Sequence, residues 1–313
     1  MVRLNWGAAL CIVPSLASSV AGSVIPDHGE FNTLSRRAMP QFNGFESKPE
    51  RKERIVQSLK DMVTMVTKVM DALYSEEAAD KKIVNAVLGQ YFTEDQQGTA
   101  LEVIKALVEP AHIDGTTGSD VMQMVQFNAE DFDKACMPGK DQKVWSNKIA
   151  WGYTKPRTSP SEIHFCDSKR RDAYKYPDLD SMTCLDVGSQ VSWKMLPLAY
   201  VTIHELTHAI DISGPILEPL CLGEYTKDPA YGPELTRELR KNPDNEKYKA
   251  LFDKMSPLQN ADSYAWFVTE AYWALTCGRT FGAPTSNRNY YDGVCKDSAL
   301  NKAMCFASSM NIS

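Results

Sequence analysis

The feature that most constrains this chain is a pair of histidines four residues apart in an apolar stretch. His204 and His208 enclose Glu205 in the run Val201-Thr-Ile-His-Glu-Leu-Thr-His-Ala-Ile-Asp211. An α-helix turns once every ~3.6 residues, so side chains four residues apart lie on one face, about 6 Å apart. Pro197 precedes this stretch and is well placed to start a helix. The pattern therefore predicts an apolar helix whose two imidazoles can bind one ion.

The arrangement H-E-x-x-H is the zincin signature, in which two histidines bind zinc and the glutamate is a general base. Glu205 lies about 100° around the helix from His204, so it can reach a metal-bound water rather than the ion. Zinc lowers the pKa of that water from about 15.7 to about 7, and the glutamate takes its proton. We therefore predict Zn²⁺ bound by His204 and His208, with Glu205 as catalytic base. The alternative is a pair of hydrogen-bonded helix histidines without a metal.

The composition excludes some classes of protein. The 313 residues are 43% hydrophobic and 24% charged, which is typical of a globular chain with one large or two modest domains. A net charge of −6 and a pI near 5.5 argue against a nucleic-acid partner, which would require a basic surface. No membrane partner and a monomer are expected; the H-E-x-x-H motif, and not the composition, favours a protein or peptide substrate.

The first residues have the pattern of a secretory signal. Arg3 precedes an apolar run over residues 4–13, and small residues suited to cleavage follow at 17–21. The run is shorter than the ~20 residues that span a bilayer. The pattern predicts a signal peptide over residues 1–21 and a secreted, extracellular protein. Residues 22–45 are predicted to be a propeptide or linker, with the pair Arg36-Arg37 as a cleavage site or a plain exposed basic pair.

Cysteine usage agrees with an oxidising compartment. Eight cysteines are present, and Cys11 lies in the predicted signal, so the remaining seven suggest three disulfides and one odd thiol. No C-x-x-C pattern occurs, which argues against a structural zinc site made of cysteines. Cys166 and Cys184 bracket a turn-rich polar loop and are the favoured single pair.

The apolar periodicity predicts an N-terminal helical region over residues 46–120. Apolar residues recur at steps of three and four between residues 49 and 75. Two further helices are predicted over residues 81–92 and 94–108, the second capped by Thr93.

After residue 120 the pattern changes to short β-prone segments separated by turns. Strands of a small sheet are predicted over residues 121–127, 144–151 and 162–166. His164 lies in the last segment, and a partly buried strand position is favoured over a metal-ligand role. Residues 211–232 are predicted to be irregular. Later helices are predicted over residues 233–240, 245–255 and 260–275.

The third metal ligand is not fixed by the helix motif. A catalytic zinc usually has three protein ligands and one open position. The metzincin spacing is excluded, because it requires glycine at 211 and histidine at 214, where this chain has Asp211 and Gly214. Four acidic residues remain as candidates: Asp228, Glu224, Asp262 and Glu270. Asp228 lies in a turn-rich segment that can fold back over the helix, whereas Asp262 stands at a predicted helix start.

Three segments together resemble the aspzincins, the secreted fungal zinc peptidases that include deuterolysin and the peptidyl-lysine metalloendopeptidases. The segments are His204-Glu-Leu-Thr-His208, Tyr225-Thr-Lys-Asp-Pro-Ala-Tyr-Gly232 and Asn260-Ala-Asp-Ser-Tyr264. The family's second motif is G-T-x-D-x-x-Y-G. The resemblance implies that Asp228 is the third zinc ligand and that Tyr231 stabilises the oxyanion. Tyr225 replaces the motif's first glycine here, and twenty residues separate Asp228 from His208.

The resemblance implies an α+β, zincin-like fold that is mainly helical, with a small mixed sheet and an N-terminal helical extension. Residues 121–313 would form the metallopeptidase domain. The predicted function is a zinc-dependent metalloendopeptidase that uses a zinc-bound water activated by Glu205. The alternative is a secreted zinc-binding, antigen-like protein of the same fold without peptidase activity. Similar fungal antigens have arginine in place of the motif glutamate, so Glu205 favours catalysis.

Overall fold

The computed structural model describes residues 40–108, 121–133, 135–136, 151–167, 172–246 and 254–284. This part of the chain is a mixed α/β structure that is mainly helical. Its helices are α1 (Pro49–Tyr74), α2 (Ala78–Tyr91), α3 (Glu94–Ala106), α4 (Leu198–His208), α5 (Ile210–Leu217), α6 (Gly232–Lys241) and α7 (Ala261–Cys277). Its strands are β1 (Gln41–Asn43), β2 (Val125–Asn128), β3 (Gly152–Lys155) and β4 (Ser161–Phe165).

The four strands form one mixed sheet in the order β1-β2-β4-β3. Strands β1, β2 and β4 run parallel, and β3 pairs antiparallel with β4, placing Thr154 opposite Ile163 and Tyr153 opposite His164. Successive strand residues point to opposite faces. Thr154 points at the H-E-x-x-H helix α4, since its hydroxyl bonds to Glu205. The edge strand β3 is therefore the part of the sheet that faces the motif.

The sequence predicted the sheet only in part. Strand β4 confirms the prediction for residues 162–166. The prediction for residues 121–127 is wrong in its first half, where Val121–Met124 is a 3₁₀ helix. Strand β2 begins at Val125 because its neighbours β1 and β4 offer no pairing residues before that point. Strand β1 was not predicted and lies in the stretch interpreted as a propeptide or linker. Residues 144–150 lie outside the described residues.

The helices α1, α2, α3, α6 and α7 confirm the predicted helices. Thr93 caps α3 as expected, in a capping box with Gln96. Helix α5 corrects the prediction that residues 211–232 are irregular, since it continues through Pro215. It does so because Ile212 and Leu217 on this short helix are fully buried, which offsets the backbone hydrogen bond that proline cannot make. Most of the predicted helix 245–255 lies outside the described residues.

The N-terminal helices share one hydrophobic core with α4 and α7. Helix α1 contributes a stripe of buried residues that includes Ile55, Leu59, Met62, Met65, Val66 and Val69. A polar contact crosses the same interface: Thr202 of α4 donates to the Ser58 hydroxyl of α1 at 2.8 Å, and both side chains are fully buried. Helix α1 therefore packs directly against α4, the helix that carries the H-E-x-x-H motif.

Two disulfides join distant segments: Cys136–Cys166 and Cys184–Cys277. The expected pair Cys166–Cys184 is wrong. Cys166 directly follows β4, and its partner Cys136 lies in the segment that follows β2, the strand next to β4. Cys184 instead bonds to Cys277, the last residue of α7. Cys221 is also disulfide-bonded, and no cysteine of the described residues is free, so the expected odd thiol is not among them.

Within the part of the chain that the structure describes, no helix has both the length and the apolar character needed to cross a bilayer. The predicted signal, the Arg36-Arg37 pair and Cys11 lie outside the described residues.

A buried ion pair connects α2, α6 and α7. Arg237 Nη2 donates to both carboxylate oxygens of Glu270, at 2.7 and 2.5 Å, and the Tyr91 hydroxyl donates to the same carboxylate at 2.6 Å. We predict that Glu270→Ala lowers the free energy of unfolding by about 3–5 kcal/mol, because it leaves the Arg237 charge buried and uncompensated. Chemical denaturation measures the change.

The matched control is Glu224→Ala, which removes an exposed ion pair with Arg157. Its expected cost is at most about 1 kcal/mol, since water screens the pair. Equal losses in the two variants would contradict the structural role assigned to the buried pair.

Candidate metal centre

Helix α4 and the loop before α6 bring His204, His208 and Asp228 together. The two Nε2 atoms are 3.3 Å apart, and each lies 3.2 Å from Asp228 Oδ1. Both imidazoles are buried, with 6% and 8% of their surface exposed, while the Asp228 side chain is about one-quarter exposed. The three ligand atoms thus form a nearly equilateral triangle at the edge of the interior.

The size of this triangle fits a tetrahedral metal ion. Ligand atoms bonded to tetrahedral zinc at about 2.0–2.1 Å lie about 3.3 Å apart, since a tetrahedron's edge is about 1.6 times its bond length. The three observed distances match one face of such a tetrahedron. Two imidazole nitrogens and one carboxylate oxygen also leave a fourth corner open. His204, His208 and Asp228 can therefore hold a metal ion.

Hydrogen bonds to the opposite ring nitrogens orient both histidines. His204 Nδ1 lies 2.9 Å from Asp262 Oδ1, and His208 Nδ1 lies 2.9 Å from the carbonyl oxygen of Thr226. A carbonyl or an ionised carboxylate only accepts hydrogen bonds, so we assign the proton of each neutral ring to Nδ1. The lone pair of each Nε2 is then free to bind an ion held between the two Nε2 atoms and Asp228 Oδ1.

Asp262 connects the first histidine to the loop that carries Asp228. Besides accepting from His204, its buried carboxylate accepts from the Tyr200 hydroxyl and from the backbone N–H of Gly232. Asn260, two residues earlier and just before the first residue of α7, accepts from the backbone N–H of Ala230 at 3.2 Å. The N-terminus of α7 therefore holds in place the loop that carries Asp228.

The four acidic candidates for the third ligand occupy different surroundings. Asp228 lies with the histidines, and Asp262 lies behind His204 on the side away from Asp228. Glu224 is at the surface, where it pairs with Arg157 at 2.9 Å. Glu270 is engaged with Arg237 and Tyr91. Among these four, only Asp228 stands in the described ligand group.

Glu205 lies next to the ligand group and is 3% exposed. The Thr154 hydroxyl is 2.8 Å from Glu205 Oε2 and 2.9 Å from the Glu205 backbone oxygen. Burial raises the pKa of the Glu205 carboxyl, although the charges of His204 and His208 and the Thr154 hydrogen bond act against the rise. A raised pKa favours a carboxylate that can take and return a proton.

The pKa values of the ligand group shift in opposite directions. Burial alone would raise the pKa of Asp228, but the charges of His208 and His204 outweigh it and hold that pKa well below its usual range. Burial would lower the pKa of His204, but Asp228 and Asp262 raise it well above its usual value. The pKa of His208 is raised for the same reason, chiefly by Asp228 against burial. Asp228 is therefore ionised, and a cation that bound here would displace the Nε2 proton of each charged ring, leaving the neutral tautomer protonated at Nδ1.

Tyr231 is placed beside the same group. Its ring stacks on the His204 ring, with centroids 5.7 Å apart and an interplanar angle of 24°. Burial, the Asp228 charge and a hydrogen bond with Asp228 raise the pKa of the Tyr231 hydroxyl well above its usual value. The side chain therefore remains a protonated phenol that can donate a hydrogen bond close to the ligand atoms.

His164 lies in β4, as the sequence predicts, and is buried. Its Nδ1 is 2.8 Å from the backbone oxygen of Asn128. Asp131, Cys136 and His164 also place potential ligand atoms within 4.8 Å of one another. The Cys136 sulfur is bonded to Cys166, however, so it is not a thiolate, and this second group lacks a third strong ligand.

No protein-family model matches this chain, and no curated protein matches it.

The geometry predicts how metal affinity depends on each acid. Asp228→Ala removes one corner of the ligand triangle and is expected to weaken metal binding severely, whereas Asp262→Asn should weaken it by about 10–100-fold, the usual effect of losing a group that orients a ligand. Glu224→Ala should leave the affinity unchanged. Competition with a chromophoric chelator measures the affinities. An unchanged affinity in Asp228→Ala would contradict the ligand assignment.

Proposed function

We propose that the protein is a secreted, zinc-dependent metalloendopeptidase with a zincin-like fold of the aspzincin type. The observation that carries the proposal is the ligand triangle of His204, His208 and Asp228, with the buried Glu205 carboxylate beside it. Two histidines, one aspartate and an open fourth position suit a catalytic zinc ion, whereas a structural zinc site has four protein ligands. The aspzincin-like motifs in the sequence give the same ligand set.

Each residue of the site would have a separate role in peptide hydrolysis. A bound zinc ion supplies a Lewis acid that acidifies water and polarises the scissile carbonyl. Glu205 accepts a proton from the attacking water and delivers it to the leaving amine, a task that suits its raised pKa. The Tyr231 phenol donates a hydrogen bond to the developing oxyanion. Asp262 and Thr226 hold the two imidazoles in the tautomer that binds the ion.

The edge strand β3 supports a peptide as the substrate. Within the described residues it has a strand neighbour on one side only, and it lies next to the Glu205 carboxylate. An extended peptide can add to such an edge through backbone hydrogen bonds. Substrate pairing along β3 would bring a peptide bond to the ligand group without requiring a particular side chain.

Export is supported by covalent chemistry as well as by the predicted signal. The disulfides Cys136–Cys166 and Cys184–Cys277 join segments 30 and 93 residues apart. Such bonds persist in oxidising compartments and are rare in the cytosol. We predict that protein collected from culture medium begins after residue 21, and N-terminal sequencing measures this. A mature chain starting at Met1, or one retained in the cytosol, would contradict export.

Activity and metal content together test the proposal. The purified protein should contain one zinc ion per chain and digest casein. Glu205→Gln should abolish digestion but retain zinc, because the substitution removes the base and leaves every ligand in place. Inductively coupled plasma analysis and a casein assay measure the two properties.

The matched control is Glu224→Gln, which makes the same chemical change at the exposed Arg157 pair and should digest casein normally. Zinc without digestion in the wild-type protein would instead favour the zinc-binding, antigen-like alternative. Absence of zinc after reconstitution would refute both.

A further inference from the structure

We propose that Thr154 is a positioning residue for Glu205, and that β3 orients both oxygens of the Glu205 carboxylate through the Thr154 hydroxyl and the bare backbone of Gly152. The inference rests on the proposed function, in which Glu205 is the base. Thr154 lies outside the H-E-x-x-H and D-x-x-Y-G motifs, so it would be a further residue on which catalysis depends.

One carboxylate oxygen is held by the hydroxyl. Thr154 Oγ1 lies 2.8 Å from Glu205 Oε2 and 2.9 Å from the Glu205 backbone oxygen. Its single proton can be donated to only one of these two acceptors at a time, and an ionised carboxylate is the stronger acceptor. Among the described residues, Thr154 is the side chain that donates a hydrogen bond to this carboxylate. The terminal torsion of a glutamate is soft, so one such bond decides the plane of the carboxylate.

The other oxygen lies against Gly152, two residues earlier on the same strand. A Cβ atom at Gly152 would lie 2.8 Å from Glu205 Oε1, 3.1 Å from Glu205 Cδ and 3.0 Å from the backbone oxygen of His164. Contacts this short are repulsive, so only glycine allows the carboxylate to approach the strand so closely. Oε1 is therefore restricted by backbone packing, while Oε2 is restricted by a hydrogen bond.

This arrangement connects the base to the edge where the substrate is proposed to bind. The residues that fix the carboxylate, Gly152 and Thr154, alternate along β3 with residues on its other face. A peptide that pairs with β3 would be placed by the same strand that places Glu205. The register between the scissile bond and the base is then set within one short element, and a displacement of about 1 Å can cost about 100-fold in rate.

Two substitutions at position 154 separate the hydroxyl from the shape of the side chain. Thr154→Val keeps the branched shape and loses the hydroxyl, so kcat on a peptide substrate should fall about 10–100-fold, with KM changed less than about twofold. Thr154→Ser keeps the hydroxyl and should retain kcat within about threefold. Zinc content should match wild type in both variants. Thr154→Val should lower the melting temperature, because it removes the hydroxyl partner of a buried carboxylate. A merely structural role would not predict a loss of kcat with zinc content and KM retained.

A second pair of variants tests the approach at Gly152. Gly152→Ala should lower kcat at least as much as Thr154→Val, because the methyl group displaces the carboxylate. Gly98→Ala on α3 is the control, since a Cβ there meets nothing within 4 Å. It should leave kcat unchanged.

Crystal structures of the zinc-loaded variants provide a readout that does not depend on activity. The Glu205 carboxylate should be displaced in Thr154→Val and remain in place in Thr154→Ser. Wild-type kcat or an unmoved carboxylate in Thr154→Val, or equal losses in the Val and Ser variants, would overturn the inference while leaving the proposed function intact. If zinc-loaded wild-type protein failed to cleave casein, the proposed function would fall, and the crystal comparison would still decide whether Thr154 positions Glu205.

Discussion

Two hydrogen bonds at histidine Nδ1 atoms orient the imidazoles that could hold a metal ion. Without them either imidazole could present a protonated Nε2, which cannot bind an ion. The two acceptors come from different places: Asp262 from the start of α7, and the Thr226 carbonyl from the loop that continues to Asp228. The site therefore depends on the contact between α4, this loop and α7, and not on the motif helix alone. Asp262, on α7, bonds to His204 of α4 and to the backbone of Gly232, the residue of α6 at which this loop ends.

The burial of α4 explains why so much of the chain surrounds it. All 11 residues of this helix are buried, including its two threonines and the three residues of the proposed site. Each buried polar group requires a partner. Thr202 finds Ser58 on α1, Thr207 donates to the His204 carbonyl oxygen, and Glu205 accepts from Thr154 on β3. Helix α1 thus contributes to the surroundings of the motif, although no residue of α1 reaches the ligand atoms.

The sequence predicts what is local and misses what depends on tertiary contacts. The spacing of His204 and His208 requires only helical geometry, and the capping of α3 by Thr93 only a local hydrogen bond; both are present in the structure. The short strands β1 and β3 were missed because three or four residues carry too little pattern, and they exist by pairing with distant partners. The pair Cys184–Cys277 spans 93 residues, so no local spacing indicates it. Thr154 likewise shows no signal, since its role arises only when β3 meets α4.

Asp228 and Glu205 both lie beside the histidines, but their surroundings suit them to different roles. Burial acts to raise the pKa of both carboxyls, but only the pKa of Glu205 is raised in the end; that of Asp228 is lowered. Asp228 Oδ1 lies 3.2 Å from both imidazole nitrogens, so their charge dominates and keeps it ionised. Glu205 points sideways at β3, and burial raises its pKa by more than the charges of His204 and His208 and the Thr154 hydrogen bond lower it. Two acids whose pKa values are pushed apart in one site suit different tasks, one as a permanent ligand and one as a group that exchanges protons. The contacts of each carboxylate, two imidazole nitrogens for Asp228 and the Thr154 hydroxyl for Glu205, therefore distinguish the proposed ligand from the proposed base.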